Sequence, residues 1–200
     1  MPVQQSTRTA ILEAARDAFL EFGYQGTSME KVAKLANTAR TTVYNQFSSK
    51  ETLFQETVKF VWTDFPAITI TQDKEALDDV EFGLTQLGRS VAEFWVPDTA
   101  VAFMRMVISE GPRFPGLAER FFEAGKAPAL NAVAEYLSRM QGRGLKKVSD
   151  SHRAARQFLG LINEPLLWAR VIGVESVPSE KIRQDAVAEA VKIFLAYYQA

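Results

Sequence analysis

The stretch that decides the fold is residues 27–50, TSMEKVAKLANTARTTVYNQFSSK. Thr27 and Glu30 fit a capping box, in which the hydroxyl accepts a backbone N–H and the carboxylate reaches back, so a short helix should start here. Asn37 tolerates the left-handed conformation that ends a helix in a tight turn. A second short helix then runs from about Arg40 to Phe47. Two short helices joined by a three-residue turn predict a helix-turn-helix.

The second of these helices should present a face without any acid. Val43 and Phe47 are four residues apart, so both can pack inward on the first helix. The remaining side chains can all form hydrogen bonds: Arg40, Thr41, Thr42, Tyr44, Asn45 and Gln46. In the major groove of DNA, arginine can pair with guanine, asparagine or glutamine with adenine, and threonine methyls can contact thymine methyls. The face therefore indicates DNA recognition, against the alternative of a merely solvated helix.

The charge of the helix-turn-helix segment, but not that of the whole chain, favours DNA binding. The whole chain has a net charge of −1, but between Gly26 and Lys50 four basic residues oppose the single acid Glu30. Lys50 begins the next helix, where its charge and the exposed amides can hold a phosphate. Thr27 or Ser28 can do the same at the start of the first motif helix. For Arg40, a phosphate contact and a guanine contact both remain open.

Composition excludes most catalytic chemistry. The 200 residues contain no cysteine and one histidine, His152, which leaves no thiolate site and no multi-histidine cluster. We find no nucleophile motif and no phosphate-binding glycine loop, so we expect no catalytic residue, no metal and no cofactor. Met1 is not followed by a secretory pattern, and no apolar run approaches a membrane span. We expect a cytoplasmic protein that does not interact with membranes.

A helical period of apolar residues continues along the chain and predicts an all-α fold. Flanking the motif, we predict helices at about 8–22, 50–65, 74–95, 98–110, 116–140, 150–172 and 179–198. Residues 66–73 lack the period and suggest a linker. Gly125 and Pro128 can divide one helix, and Pro165 should kink another. We therefore predict a helix-turn-helix domain at 1–50, a connecting helix at 50–65, and a larger helical domain at 66–200.

Residues 7–53 strongly resemble the N-terminal DNA-binding domain of the TetR family of regulators. The matching segments are Ile11–Ala15 with Phe19, Phe22–Ser28, Val32-Ala33, Thr42–Tyr44, Phe47 and Ser49–Glu51 with Leu53. The family usually has glycine where Asn37 stands and often proline where Ser48 stands. The resemblance implies that Thr42 and Tyr44 lie at the groove, with the Tyr44 hydroxyl on a phosphate, and that Lys50 holds the DNA backbone. Base choice would then fall to Thr41, Asn45 and Gln46.

The C-terminal part is similar to the AefR-like domain found in some TetR-family regulators. The likeness rests on residues 103–115, 155–161 and 190–195. It implies an all-helical domain for dimerisation and effector binding.

Two surfaces of this domain can be proposed from residue types. Broad apolar faces on the last two helices predict a four-helix dimer interface, although the same faces can fill the core of a monomer. The interface residues would be Phe158, Leu161, Ala169, Ile182, Ala186, Ala190, Ile193, Phe194 and Tyr197. A pocket for a small apolar or amphipathic effector would be lined by aromatic residues, as would a plain core. The candidates are Phe94, Trp95, Phe103, Met104, Phe121, Phe122, Asn163 and Trp168.

Together these features predict a transcriptional regulator, most simply a repressor that binds a palindromic operator as a dimer and is released by a small effector. One alternative is a ligand-binding or interaction protein whose helix-turn-helix does not bind DNA. Another is a small helical enzyme, for which the sequence offers no nucleophile.

Overall fold

The computed structural model of the chain describes residues 6–62, 67–146 and 148–199. These residues form α-helices without any strand beyond an isolated bridge between Gln141 and Leu145, which confirms the all-α prediction. The helices are α1 Thr7–Gly26, α2 Met29–Leu35, α3 Arg40–Gln46, α4 Lys50–Trp62, α5 Ala67–Gln72, α6 Lys74–Asp78, α7 Val80–Phe94, α8 Asp98–Glu110, α9 Pro115–Phe121, α10 Ala127–Met140, α11 Ser151–Val171 and α12 Glu180–Tyr198. A π-helical turn, Phe122–Lys126, joins α9 to α10.

The helices gather into two compact units. The first consists of residues 1–63 and 102–126, and the second of residues 64–101 and 127–200. We predicted that the whole of 66–200 forms the C-terminal domain, whereas 102–126 packs with the N-terminal helices. The division of function between 1–50 and 66–200 stays a prediction, because packing alone does not assign a function to either part.

The core of the first unit is built from both of its segments. The N-terminal segment contributes four fully buried side chains: Ile11 and Phe19 of α1, Phe47 after α3 and Phe54 of α4. Phe103 of α8 belongs to the same cluster. The Phe54 and Phe103 ring centroids lie 6.3 Å apart. The short helices α2 and α3 are thus carried on a core to which residues far along the chain contribute.

The second unit is a bundle in which α7, α10, α11 and α12 pack on one another. Its largest fully buried side chains are Tyr136, Phe158, Phe194, Leu84, Leu87 and Leu137. The Tyr136 hydroxyl donates a 2.7 Å hydrogen bond to the Ala76 carbonyl, so this buried phenol keeps a partner. Helix α11 runs without interruption through Pro165.

Three predicted boundaries differ from the structure. Ala67–Gln72 is helical rather than a linker, because its packing on α7 and α10 overrides the weak helix propensity of its β-branched residues. The predicted helix at 74–95 is two helices, α6 and α7, that break at Asp79. The helix predicted at 116–140 is interrupted near Gly125, as expected, but by a π-helical turn. The end of the helix predicted at 50–65 lies outside the described residues.

Within the described ranges, no helix is both long enough and apolar enough to span a membrane. Across the same ranges, no three histidine, aspartate or glutamate side chains come together in a way that would hold a metal ion.

Candidate nucleic-acid interface

The start of α2 is capped one residue later than the sequence pattern predicts. Ser28 is the cap, and its Oγ accepts a 3.1 Å hydrogen bond from the Lys31 N–H. The Thr27 hydroxyl instead donates to the Gly23 carbonyl at 2.7 Å and to the Ala18 carbonyl at 2.9 Å. Thr27 is 2% exposed, so the predicted phosphate contact by its side chain is not retained. Ser28 is exposed and stays a candidate.

The turn between α2 and α3 has the expected geometry. Asn37 has a φ of +49°, the left-handed value that makes asparagine a suitable substitute for glycine. Val43 of α3 and Phe47 directly after it are both 0% exposed, as predicted. These two inward side chains fix which face of α3 points away from the core.

The outward face of α3 carries four of the predicted recognition residues. Arg40, Thr41, Tyr44 and Asn45 are exposed and line a shallow depression of about 340 Å³. Thr42 is half-buried.

Gln46 differs from the expectation that it points outward. Its side chain is half-buried, and its Oε1 atom is buried without a hydrogen-bond partner among the described residues. A base contact by Gln46 would therefore require its amide to turn out of this position.

Arg40 is already engaged on this surface. Its Nη2 lies 2.7 Å from Oε1 of Glu30, and its guanidinium carbon lies 5.2 Å from the centroid of the Tyr44 ring. Tyr44 and Glu30 both raise the pKa of Arg40. The pKa of Glu30 is lowered chiefly by a backbone hydrogen bond, with smaller effects from Ser28, Arg40 and Tyr44. Sequence reasoning missed this ion pair because it assigned Glu30 to the cap of its own helix.

Lys50 occupies a structural position that the sequence did not reveal. Its Nζ donates to the carbonyl oxygens of Tyr24 at 2.9 Å and Thr27 at 3.0 Å, and lies 4.4 Å from the centre of the Tyr24 ring. Burial lowers the pKa of its ammonium group. Ser49 caps α4 by accepting the Thr52 N–H at 3.1 Å. The phosphate contact of Lys50 stays a prediction, since an ammonium has three donors and the two carbonyls occupy two.

A second anchor of the α1–α2 corner comes from α8. The Glu110 carboxylate accepts the backbone N–H groups of Tyr24 at 2.9 Å and Gln25 at 2.8 Å. Gly23 permits this approach because its φ is +71° and a Cβ atom there would lie 2.2 Å from Glu110 Oε1. No sequence signal pointed to Glu110, because the contact joins residues more than eighty positions apart.

The Tyr24 side chain is enclosed by aromatic rings. Its ring centroid lies 5.9 Å from Phe19, 5.5 Å from Phe54 and 5.1 Å from Phe114. Its hydroxyl donates to Glu51 Oε1 at 3.2 Å. Burial, followed by the charge of Glu51, raises the pKa of Tyr24 to about 12. The corner that leads into α2 is thus fixed by backbone, charge and ring contacts together.

The eight candidate effector residues are divided between the two units. Phe103, Met104, Phe121 and Phe122 belong to the first unit, whereas the other four belong to the second. In the second unit, Trp95 Nε1 donates to Asn163 Oδ1 at 2.9 Å, and Phe94 lies beside the Trp95 ring. Trp168 is 49% exposed. A groove of about 750 Å³ between α7 and α12 is lined by other residues.

The candidate dimer residues divide into two sets. Phe158, Ala190 and Phe194 are buried in the second unit, so their assignment to an interface is corrected to the core. The others are half-buried or exposed: Leu161, Ala169, Ile182, Ala186, Ile193 and Tyr197. Further apolar residues are exposed on α11 and directly after it, namely Trp168 at 49% and Ile172 at 72% exposure. An apolar surface of this kind is typical of an interaction site.

Comparison with known proteins agrees with this architecture. The family described as "Bacterial regulatory proteins, tetR family" matches residues 11–57, and the "AefR-like transcriptional repressor, C-terminal domain" matches residues 83–200. The transcriptional regulator YhgD of Bacillus subtilis is 54% identical over 46 residues, 23% of this chain and 24% of YhgD. YdeS of the same organism is 23% identical over 195 residues, 96% of this chain and 91% of YdeS.

Solved structures resemble the chain over nearly its whole length. A TetR-family transcriptional regulator from Mesorhizobium loti has a TM-score of 0.80 and 28% identity, with 97% of each chain covered. The flavonoid-responsive regulator FrrA has a TM-score of 0.77 and 28% identity, with 96% of this chain and 97% of that chain covered. Proteins of this family are transcriptional regulators and not enzymes. Because the chain has a helix-turn-helix and matches both family descriptions, it belongs to the TetR family of DNA-binding transcriptional regulators, with an AefR-like C-terminal domain.

Proposed function

We propose that the protein is a cytoplasmic repressor that binds a palindromic operator as a homodimer by inserting α3 into the major groove. The observation that carries the proposal is the outward face of α3, whose exposed polar side chains are held in place by the buried Val43 and Phe47. A helix of this kind fits the major groove, and its amide and hydroxyl groups match base edges and phosphates.

Selection of bound fragments from a random pool of DNA duplexes tests this directly. We expect a palindrome with two half-sites about one helical turn or a multiple of it apart. Failure to recover any enriched sequence at low ionic strength, with the folded protein present, would overturn the proposal.

Substitutions on α3 separate the two kinds of contact. Asn45→Ala should lower the preference for one base pair in each half-site by about tenfold, because an amide can pair specifically with adenine. Tyr44→Phe should weaken binding to all sequences alike, because its hydroxyl is proposed to contact a phosphate. Equal loss in both variants across operator and scrambled duplexes would show that Asn45 does not read a base.

We propose that the homodimer forms through the exposed apolar surface of α11 and α12. Six of the nine candidate interface residues remain at least partly exposed on these helices, and Ile193 is 48% and Tyr197 63% exposed. An isologous contact between two such surfaces would supply the two-fold symmetry that a palindrome requires.

We propose that a small apolar or amphipathic effector releases the repressor. The Trp95–Asn163 hydrogen bond places an amide beside aromatic rings in the second unit, the combination that binds ligands of this type. FrrA, 28% identical over most of its length, responds to flavonoids, and flavonoids are therefore the first compounds to titrate. An effector must lower operator affinity by binding the DNA-free state better. A compound that binds the protein without changing operator affinity would contradict this role.

A further inference from the structure

Glu30 is the only acidic residue in the helix-turn-helix, and it lies against the first residue of α3. Because Ser28 and not Thr27 caps α2, the Glu30 carboxylate is not at the capping-box position opposite that serine. Its Oε1 lies 2.7 Å from Arg40 Nη2, with side-chain exposures of 47% and 62%. The ion pair therefore links the first turn of α2 to the first turn of α3 at the surface.

Glu30 stabilises the first turn of α2 through a backbone hydrogen bond, but its pairing with Arg40 adds little to stability. An ion pair between exposed side chains contributes little to folding, because water and salt screen it and both side chains lose freedom. A carboxylate on a surface that approaches DNA is moreover repelled by the phosphates. If Arg40 bound a phosphate, Glu30 would oppose that contact. The Glu30–Arg40 ion pair is better explained if Arg40 contacts a part of the DNA other than a phosphate.

The geometry restricts the Arg40 side chain from two sides. Glu30 holds one terminal nitrogen, and the Tyr44 ring lies 5.2 Å from the guanidinium carbon. The guanidinium has five N–H groups in a planar fork, so donors remain after one nitrogen is engaged. The N-terminal residues of a recognition helix are those that reach base edges, and Arg40 is the first residue of α3.

We propose that Arg40 reads a guanine in each half-site through its O6 and N7 atoms, and that Glu30 is a positioning residue that orients the guanidinium and keeps it from phosphate. This inference rests on the proposed insertion of α3 into the major groove. It chooses between the phosphate and guanine contacts that the sequence left open for Arg40.

The test measures the affinities of wild type, Glu30→Gln and Arg40→Lys for the selected operator and for a scrambled duplex. Arg40→Lys keeps the charge but loses the fork, so the preference for guanine at one position per half-site should fall about tenfold. Glu30→Gln should lower the same preference several-fold and tighten binding to the scrambled duplex, since it removes a repelled charge. Replacing that guanine by 7-deazaguanine, which lacks the N7 acceptor, should weaken wild type more than Arg40→Lys.

Asp17→Asn is the matched control, because it removes the same charge from an exposed ion pair, with Arg16, elsewhere in the first unit. It should leave the guanine preference unchanged. Thermal melting followed by circular dichroism verifies that all variants fold.

Two results would overturn the inference. Unchanged base preference in both Arg40→Lys and Glu30→Gln would show that Arg40 does not read a base. A rise in affinity of Glu30→Gln on every duplex, with the guanine preference intact, would show that Glu30 is only a repulsive charge. Both results require that wild type selects an operator, so they are distinct from failure of DNA binding itself.

Discussion

At the scale of single residues, Gly23 meets two requirements at once. Its φ of +71° and ψ of 177° fall in a region that is almost restricted to glycine, and a Cβ would lie 2.2 Å from Glu110 Oε1. Gly23→Ala should therefore strain the backbone and displace the carboxylate that holds Tyr24 and Gln25. We expect a loss of about 2–4 kcal/mol in the free energy of unfolding, measured by urea denaturation.

Gly142→Ala provides the comparison for this prediction. Gly142 also has a positive φ, of +78°, but a Cβ there would meet nothing within 4 Å. We expect a loss of about 1–2 kcal/mol, from backbone strain alone. An equal loss in both variants would show that the Glu110 contact contributes nothing to stability.

The raised pKa of Tyr24 predicts a dependence of stability on alkaline pH. Its pKa in the folded protein is about 12, above the ordinary value of 10.0, so the fold favours the protonated phenol. This contribution is fully present below pH 10 and is lost as pH rises through 12.

Tyr24→Phe isolates that contribution. At pH 8 it should cost about 1 kcal/mol, because the hydrogen bond to Glu51 is lost. The difference in urea midpoint between wild type and Tyr24→Phe should then shrink above pH 10. A constant difference up to pH 12 would contradict the raised pKa.

Sequence patterns identified four of the six residues predicted on the α3 face, but not their partners. The spacing of Val43 and Phe47 separated inward from outward positions except at Thr42 and Gln46, which are half-buried. The same reasoning placed the cap at Thr27 instead of Ser28, because both are good capping residues and local sequence does not show which hydroxyl is buried. It could not find Glu110, because the contact depends on how distant segments pack.

At the scale of elements, the break between α6 and α7 depends on one carboxylate. Asp79 Oδ1 accepts the backbone N–H groups of Glu81 at 2.9 Å and Phe82 at 3.1 Å, which starts α7 anew. Asp79→Ala should cost about 1 kcal/mol in unfolding free energy, while Asp79→Asn should cost little, because asparagine also caps well. A similar loss in both variants, measured by thermal melting, would mean that charge and not capping matters.

The helical period predicted most helices but missed this break, since Ala76, Val80 and Leu84 keep an apolar spacing across it. The period also cannot separate core from interface. Phe158 and Phe194 are buried in their own unit, whereas Ile182 and Ile193 are exposed, although all four are apolar residues on α11 and α12.

At the scale of the whole molecule, the dimer proposal predicts that one substitution on α12 converts the dimer into a monomer. Ile193→Glu puts a charge on the exposed apolar surface of α12, where a partner would have to bury it. We expect the variant to sediment as a monomer and to bind its operator at least tenfold more weakly. Ala196→Glu adds the same charge to the same helix at the groove with α7 and should remain dimeric. Identical sedimentation of both variants and wild type would reject this interface.

The two-segment composition of the first unit limits how the protein can be re-engineered. A hybrid gene with a single junction after Trp62 would supply α1 to α4 without Phe103, Phe121 and Glu110, which belong to the same packed unit. The foreign partner would have to fill those positions with side chains chosen for a different neighbour. A hybrid that keeps the first unit intact and replaces the second unit therefore needs three junctions, because residues 102–126 must be transferred together with the N-terminal segment.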